Sequence, residues 1–170
     1  MKSKFALTIT QTVSIVLIIA ITLFLPTTNA VAKDIQNDPD GFNGITWGTS
    51  LDSLKEDLIY YRSVGTILSY IKKNENFTLG DDTQFIRIEY GFNNNTYSNI
   101  YITFKGINNY INILNWLTQQ HGSSETVGKT INNKIVPESE CWFGNNTTII
   151  LERLDVYQNC SLWMAPRKRN

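Results

Sequence analysis

Histidine occurs once in this chain, cysteine and methionine twice each, and proline four times. Each shortage removes a class of chemistry. With His121 as the sole imidazole and two separated cysteines, the usual zinc ligand set cannot be assembled from this chain alone. A Ser–His–Asp triad would have to recruit His121, and no G-x-S-x-G elbow presents a serine to it. At the end of a helix, this histidine suits the dipole in a structural role. No glycine-rich phosphate loop occurs, so no nucleotide cofactor is expected, and the cofactor and metal expectation is none. An excess of one charge is missing too: 15 basic side chains stand against 15 acidic ones, which gives no reason to expect nucleic acid.

Long apolar runs are absent beyond Leu25, and the one before it has a particular setting. Lys2 and Lys4 precede it, no acidic residue appears before Asp34, and Val13–Leu25 is its clearest part. Pro26 breaks the run, and Ala30-Val31-Ala32 follows. A basic start, a short apolar core and an A-x-A site are the order of a secretory signal. Residues 1–32 are therefore read as a cleaved signal peptide, and the protein as exported to the periplasm or the medium. The rival is a membrane tether through residues 5–25, a stretch that approaches spanning length but is diluted by Thr8, Thr10, Gln11 and Thr12. The absence of a cysteine near the cleavage region excludes a lipid-anchored lipoprotein. Removing 32 of 170 residues leaves 138, and losing two lysines leaves 13 basic against 15 acidic groups, a net charge of −2. The basic tail, 167–170, reads as a solvated terminus. Membrane contact is expected only during export or if the N-terminal segment is retained.

Residues 33–41 are polar and read as a linker, leaving 42–166 as a single α+β domain. Thr49 with Asp52 forms a capping pattern, and Leu51, Leu54 and Leu58 fall on one face of a short helix. The period then becomes two. Thr66–Lys72 reads as a strand; in Gln84–Phe92, Ile86, Ile88, Tyr90 and Phe92 point one way and Arg87 and Glu89 the other. After the Asn93–Thr96 turn, Ile100, Ile102 and Phe104 alternate with Tyr101 and Thr103, a hairpin with one buried face. A second helix is predicted over 108–121, capped by Asn108 or Asn109 and stopped by Gly122. Strands at 139–144, 147–154 and 159–165 follow. The expectation is two helices on one face of a mainly antiparallel sheet of about six strands, arranged as two αβββ halves, 49–105 and 107–165.

The opening Gly41-Phe42-Asn43-Gly44-Ile45-Thr46-Trp47-Gly48-Thr49-Ser50-Leu51 resembles the GF-x-GI-x-WG-x-S-L start of a family of uncharacterised exported bacterial proteins. Ile88-Glu89-Tyr90-Gly91-Phe92 and Trp142-Phe143-Gly144 resemble that family's middle and later segments, so the resemblance spans most of 41–165. It implies export, brings no assigned activity with it, and carries no functional residues over.

Other patterns dissolve on inspection. Ser69-Tyr70-Ile71-Lys72 matches S-x-x-K, but in a strand residues three apart face opposite sides. Asp38-Pro39-Asp40-Gly41 lacks the later ligands of a calcium loop. Asp81-Asp82 and Glu138/Glu140 read as solvated turn acids. Cys141 and Cys160 would meet an oxidising compartment, which favours a disulfide. Their expected positions, two strand spacings or roughly 9–10 Å apart, exceed the about 7 Å that a disulfide allows, so the bond stays open at this stage. Among the tryptophans, Trp47 reads as core, whereas Trp163 alternates away from Leu162 and Met164 and shares an outer sheet face with Tyr101. These two are the candidate binding surface. The functional expectation is a non-catalytic periplasmic or secreted module that binds a protein partner or a small apolar ligand. The alternatives are a small carboxylate-dependent hydrolase, or a membrane-tethered structural protein.

Overall fold

The computed structural model describes residues 35–75, 77–79, 83–131, 134–154 and 159–167, without the side chains of 129–131 and 134–138. The apolar N-terminal segment, Asp81-Asp82, the Glu138 side chain and the end of the basic tail lie outside the described residues.

The two-helix, six-strand expectation is overturned: the domain is mostly β. Eight strands form one antiparallel sheet: β3 (Leu58–Val64), β4 (Ile67–Lys72), β5 (Phe85–Asn93), β6 (Thr96–Lys105), β7 (Glu125–Ile131), β8 (Lys134–Phe143), β9 (Thr147–Arg153) and β10 (Asn159–Pro166). Their spatial order is β3-β4-β5-β6-β10-β9-β8-β7. Two four-stranded meanders thus meet through their last strands, β6 and β10, in place of two αβββ units. A hairpin, β1 (Gly41–Phe42) with β2 (Ile45–Thr46), forms a separate two-stranded sheet. The one α-helix among the described residues is α1 (Ile107–His121).

The leucines that suggested a first helix do three separate jobs. Ser50 caps only a 3-10 turn, Leu51–Ser53, by accepting the Asp52 N–H at 3.3 Å. Leu51 and Leu54 pack from this turn against the core, while Leu58 is already the first residue of β3. The run that follows, Leu58-Ile59-Tyr60, ends on a β-branched and an aromatic residue and pairs with β4. So short a helical stretch has no cooperative length to resist that pairing. The second helix does form. Tyr110, Ile113 and Leu117 make its buried stripe, and Gly122 ends it at φ 85° with its N–H donated to the Thr118 carbonyl. Asn109 does not cap it: its amide donates to the Lys105 carbonyl at 2.7 Å, and Gly106 occupies the cap position.

One face of the sheet carries the core. Tyr90, Phe92, Ile100, Ile102, Phe104, Ile149, Leu151, Leu162 and Trp142 are all but fully buried there, closed over by Ile113 and Leu117 of α1 and by Phe42 and Ile45 of the hairpin. The polar stretch read as a linker is tied in from Ile35 onward. Asp38 accepts the backbone N–H groups of Asn146 and Thr147 at 2.6 and 3.1 Å, capping the β8–β9 turn. Gln36 and His121 exchange contacts: the Gln36 N–H donates to the His121 carbonyl, and His121 Nδ1 lies 3.1 Å from the Gln36 carbonyl.

A register shift in β5 corrects the alternation read there. The strand bulges between Phe85 and Arg87, so Phe85 turns to the core and Ile86 is 55% exposed. Truncation should separate the two isoleucines that the sequence pairs. Ile88→Ala is expected to cost about 3 kcal/mol in urea unfolding, the range for an emptied core site, and Ile86→Ala about 0.5 kcal/mol or less, as for surface changes. Equal losses would show that the bulge is misplaced.

Candidate binding face

Because side chains alternate across a strand, committing one face to the core sends the intervening residues to the other. The register lines them up in rows that cross the sheet. One row runs Glu89, Tyr101, Trp163, Ile150, Cys141 and Glu125, from β5 to β7. The next runs Arg87, Thr103, Ser161, Glu152, Ser139 and Val127. Tyr101 and Trp163 are therefore direct cross-strand partners on the two central strands, both half-buried, with Ile150 beside Trp163. Trp47, Trp116 and Trp142 belong to the opposite face, in the core or packed against it. Trp47 Nε1 donates to Thr147 Oγ1 at 2.7 Å, and Trp142 Nε1 donates to the Gly122 carbonyl at 2.8 Å.

Beside the aromatic pair sits a charged cluster that the sequence did not mark as a site. Glu89 is 1% exposed. Arg62 grips its carboxylate with Nε at 2.8 Å and Nη2 at 3.1 Å, and Arg87 Nε donates to the same group at 2.7 Å. The Tyr61 ring lies under both guanidinium groups, 4.7 Å from Arg87 Cζ and 5.7 Å from Arg62 Cζ. Farther along the second row, Glu152 accepts hydroxyls from Ser139 and Ser161 at 3.3 and 3.4 Å. The alternation of Arg87 with Glu89 was legible in sequence. Arg62 was not, because it rides on a strand that carries no core pattern. Glu140, read as a solvated acid at the start of the 139–144 strand, lies within β8 and accepts from Ser124 at 2.6 Å and from Thr126.

The two cysteines do not meet. Cys141 pairs with Ile150 and Cys160 with Arg153, across β9 from each other and three positions apart, hence on opposite faces. Cys160 lies in the core and Cys141 on the face of Trp163. Burial first, then the Glu152, Glu140 and Glu125 carboxylates, push the Cys141 thiol above its usual range. A nucleophilic cysteine needs the reverse shift. Among the described residues, no group of three or more His, Cys, Asp and Glu side chains is placed to hold a metal. No helix among them is long and apolar enough to cross a membrane.

Comparison with protein-family models, with curated proteins and with solved structures finds no match for this chain. Its functional reading rests on this face alone.

The intact protein should show no two-hydrogen mass deficit that reductant removes. Cys141 should resist iodoacetamide at pH 8, alkylating faster only at higher pH or after unfolding, because its raised pKa keeps the thiol protonated. A reductant-sensitive deficit would mean that β8 and β10 are wrongly registered.

Proposed function

We propose that this protein is a non-catalytic exported module, acting in the periplasm or the medium, that binds a protein partner on the sheet face away from α1. The observation that carries this reading is the Tyr101–Trp163 pair at the centre of that face. Aromatic side chains supply large contact area at low entropic cost and dominate binding hot spots. The helix and the hairpin put their buried apolar residues into the other face, so the pair is not spent on closing the core. A broad sheet face offers area without enclosure, which suits a protein better than a small apolar ligand, since small ligands favour concave pockets. The depression at the β1–β2 hairpin, about 170 Å³, is lined by residues 40–46 with Asp40 as its one carboxylate, and it gives the hydrolase alternative no acid pair.

The test is photo-crosslinking in the native host from a benzoylphenylalanine placed at position 101 or 163, with position 111 on the exposed side of α1 as control. One adduct common to 101 and 163 and missing at 111 is expected. Against the purified adduct partner, Trp163→Ala should weaken binding by ~2 kcal/mol with an unchanged unfolding midpoint. Adducts of equal yield at all three positions, or none, would overturn the reading.

A further inference from the structure

We propose that Arg62 and Arg87 form a carboxylate-binding site that receives an acidic side chain of the protein partner; this rests on the reading of the sheet face given above. Satisfying Glu89 does not require two arginines. The Arg62 fork already contacts both carboxylate oxygens, and a bidentate pair of this kind is the strong form of such a contact. Adding Arg87 brings a second positive charge beside the first, so two guanidinium groups face one carboxylate and leave one positive charge in excess. That charge is not buried away. The Arg62 and Arg87 side chains are 44% and 32% exposed, while that of Glu89 is 2% exposed.

The hydrogen-bond inventory points the same way. A guanidinium carries five N–H donors. Among the described residues, Arg62 Nη1 and both Arg87 Nη1 and Nη2 meet no hydrogen-bond acceptor. Thr103, directly across from Arg87 on β6, has a buried hydroxyl that likewise meets no partner among the described residues. Tyr61, held out by the bulge in β3, backs both arginines and limits their rotation. A buried carboxylate contributes little net stability through its ion pairs. Here Glu89 acts as a positioning residue that aligns two forks toward the open side.

Charge decides the ligand class. One carboxylate neutralises the single excess charge, whereas a phosphate would overshoot it. Position decides the source: Glu89 is the cross-strand neighbour of Tyr101, so an acid bound here comes from a molecule that also covers the aromatic pair. A second copy of the chain would bring its own cationic cluster to this one, against like-charge repulsion.

The probe is N-acetylglutamate amide, titrated into the natively produced, isotope-labelled protein while the arginine Nε–Hε resonances are followed. Saturable shifts of Arg62 and Arg87 are expected, with none from the neutral N-acetylglutamine amide. Arg87→Met leaves Glu89 gripped by Arg62, so the fold should persist while the affinity falls at least tenfold. Arg87→Lys, which keeps the charge but loses the fork, should also weaken binding, by about fivefold. Shifts matched by the glutamine probe, or unaltered affinity in both variants, would overturn the proposal. Inorganic phosphate binding tenfold more tightly than the glutamate probe would also overturn it, by making the site one for a free anion. Because the probe requires no partner, a failed crosslink at position 163 and a failed titration here are separate results.

Discussion

The pairing of β6 with β10 is the constraint on which the rest depends. Each meander alone is a four-stranded sheet with two open edges, and only this seam joins Ile100, Ile102 and Phe104 to Met164, Leu162 and Cys160 in one apolar surface. The same register sets the other face, because a one-residue slip would send every side chain of β10 to the opposite side. Tyr101 meets Trp163 for the reason that Ile102 meets Leu162. Core and candidate binding face are two consequences of one alignment.

The two faces are built on different terms. The core face is closed by α1 and the hairpin and tolerates few polar atoms. Tyr90, whose hydroxyl donates to Glu75 at 2.6 Å, and Tyr97 both have their ionisation pushed well above the usual tyrosine range, chiefly by burial. The opposite face carries Glu89, Ser161, Glu152 and two arginines among its aromatics. Placing a carboxylate at 1% exposure costs several kcal/mol unless it is fully paired. Three N–H donors from two arginines supply that pairing, and they leave the surface around Tyr101 charged and ordered, where a second core layer would be apolar.

The outer strands show how an edge is managed. β3 exposes Ile59, Tyr60, Tyr61 and Val64, a composition that invites pairing with another chain. Its bulge at Tyr61 and the turning of Arg62 inward toward Glu89 interrupt that edge. The contact that organises the charged cluster therefore also blunts the strand. At the far edge, β7 carries Glu125 and bulges after Val127.

The sequence by itself determined the strands that have a neighbour on each side and a buried face, since only these must alternate polar with apolar. It also located α1, through its stripe and Gly122, and it put Tyr101 and Trp163 on the side away from the core. The two edge strands stayed hidden. β3 is exposed at nearly every position after Leu58, and β7 is exposed at Glu125–Gly128, so neither needs a period. Three leucines at helical spacing imitated a helix, because spacing does not show whether one element or two supplies the anchors. Tertiary structure alone decided which strands are neighbours. That choice separated the cysteines to opposite faces, turned Ile86 outward, and brought Arg62 from an edge strand onto Glu89. These are contacts between residues distant in the chain, and they are set by register and by the closing of the sheet, which local pattern does not encode.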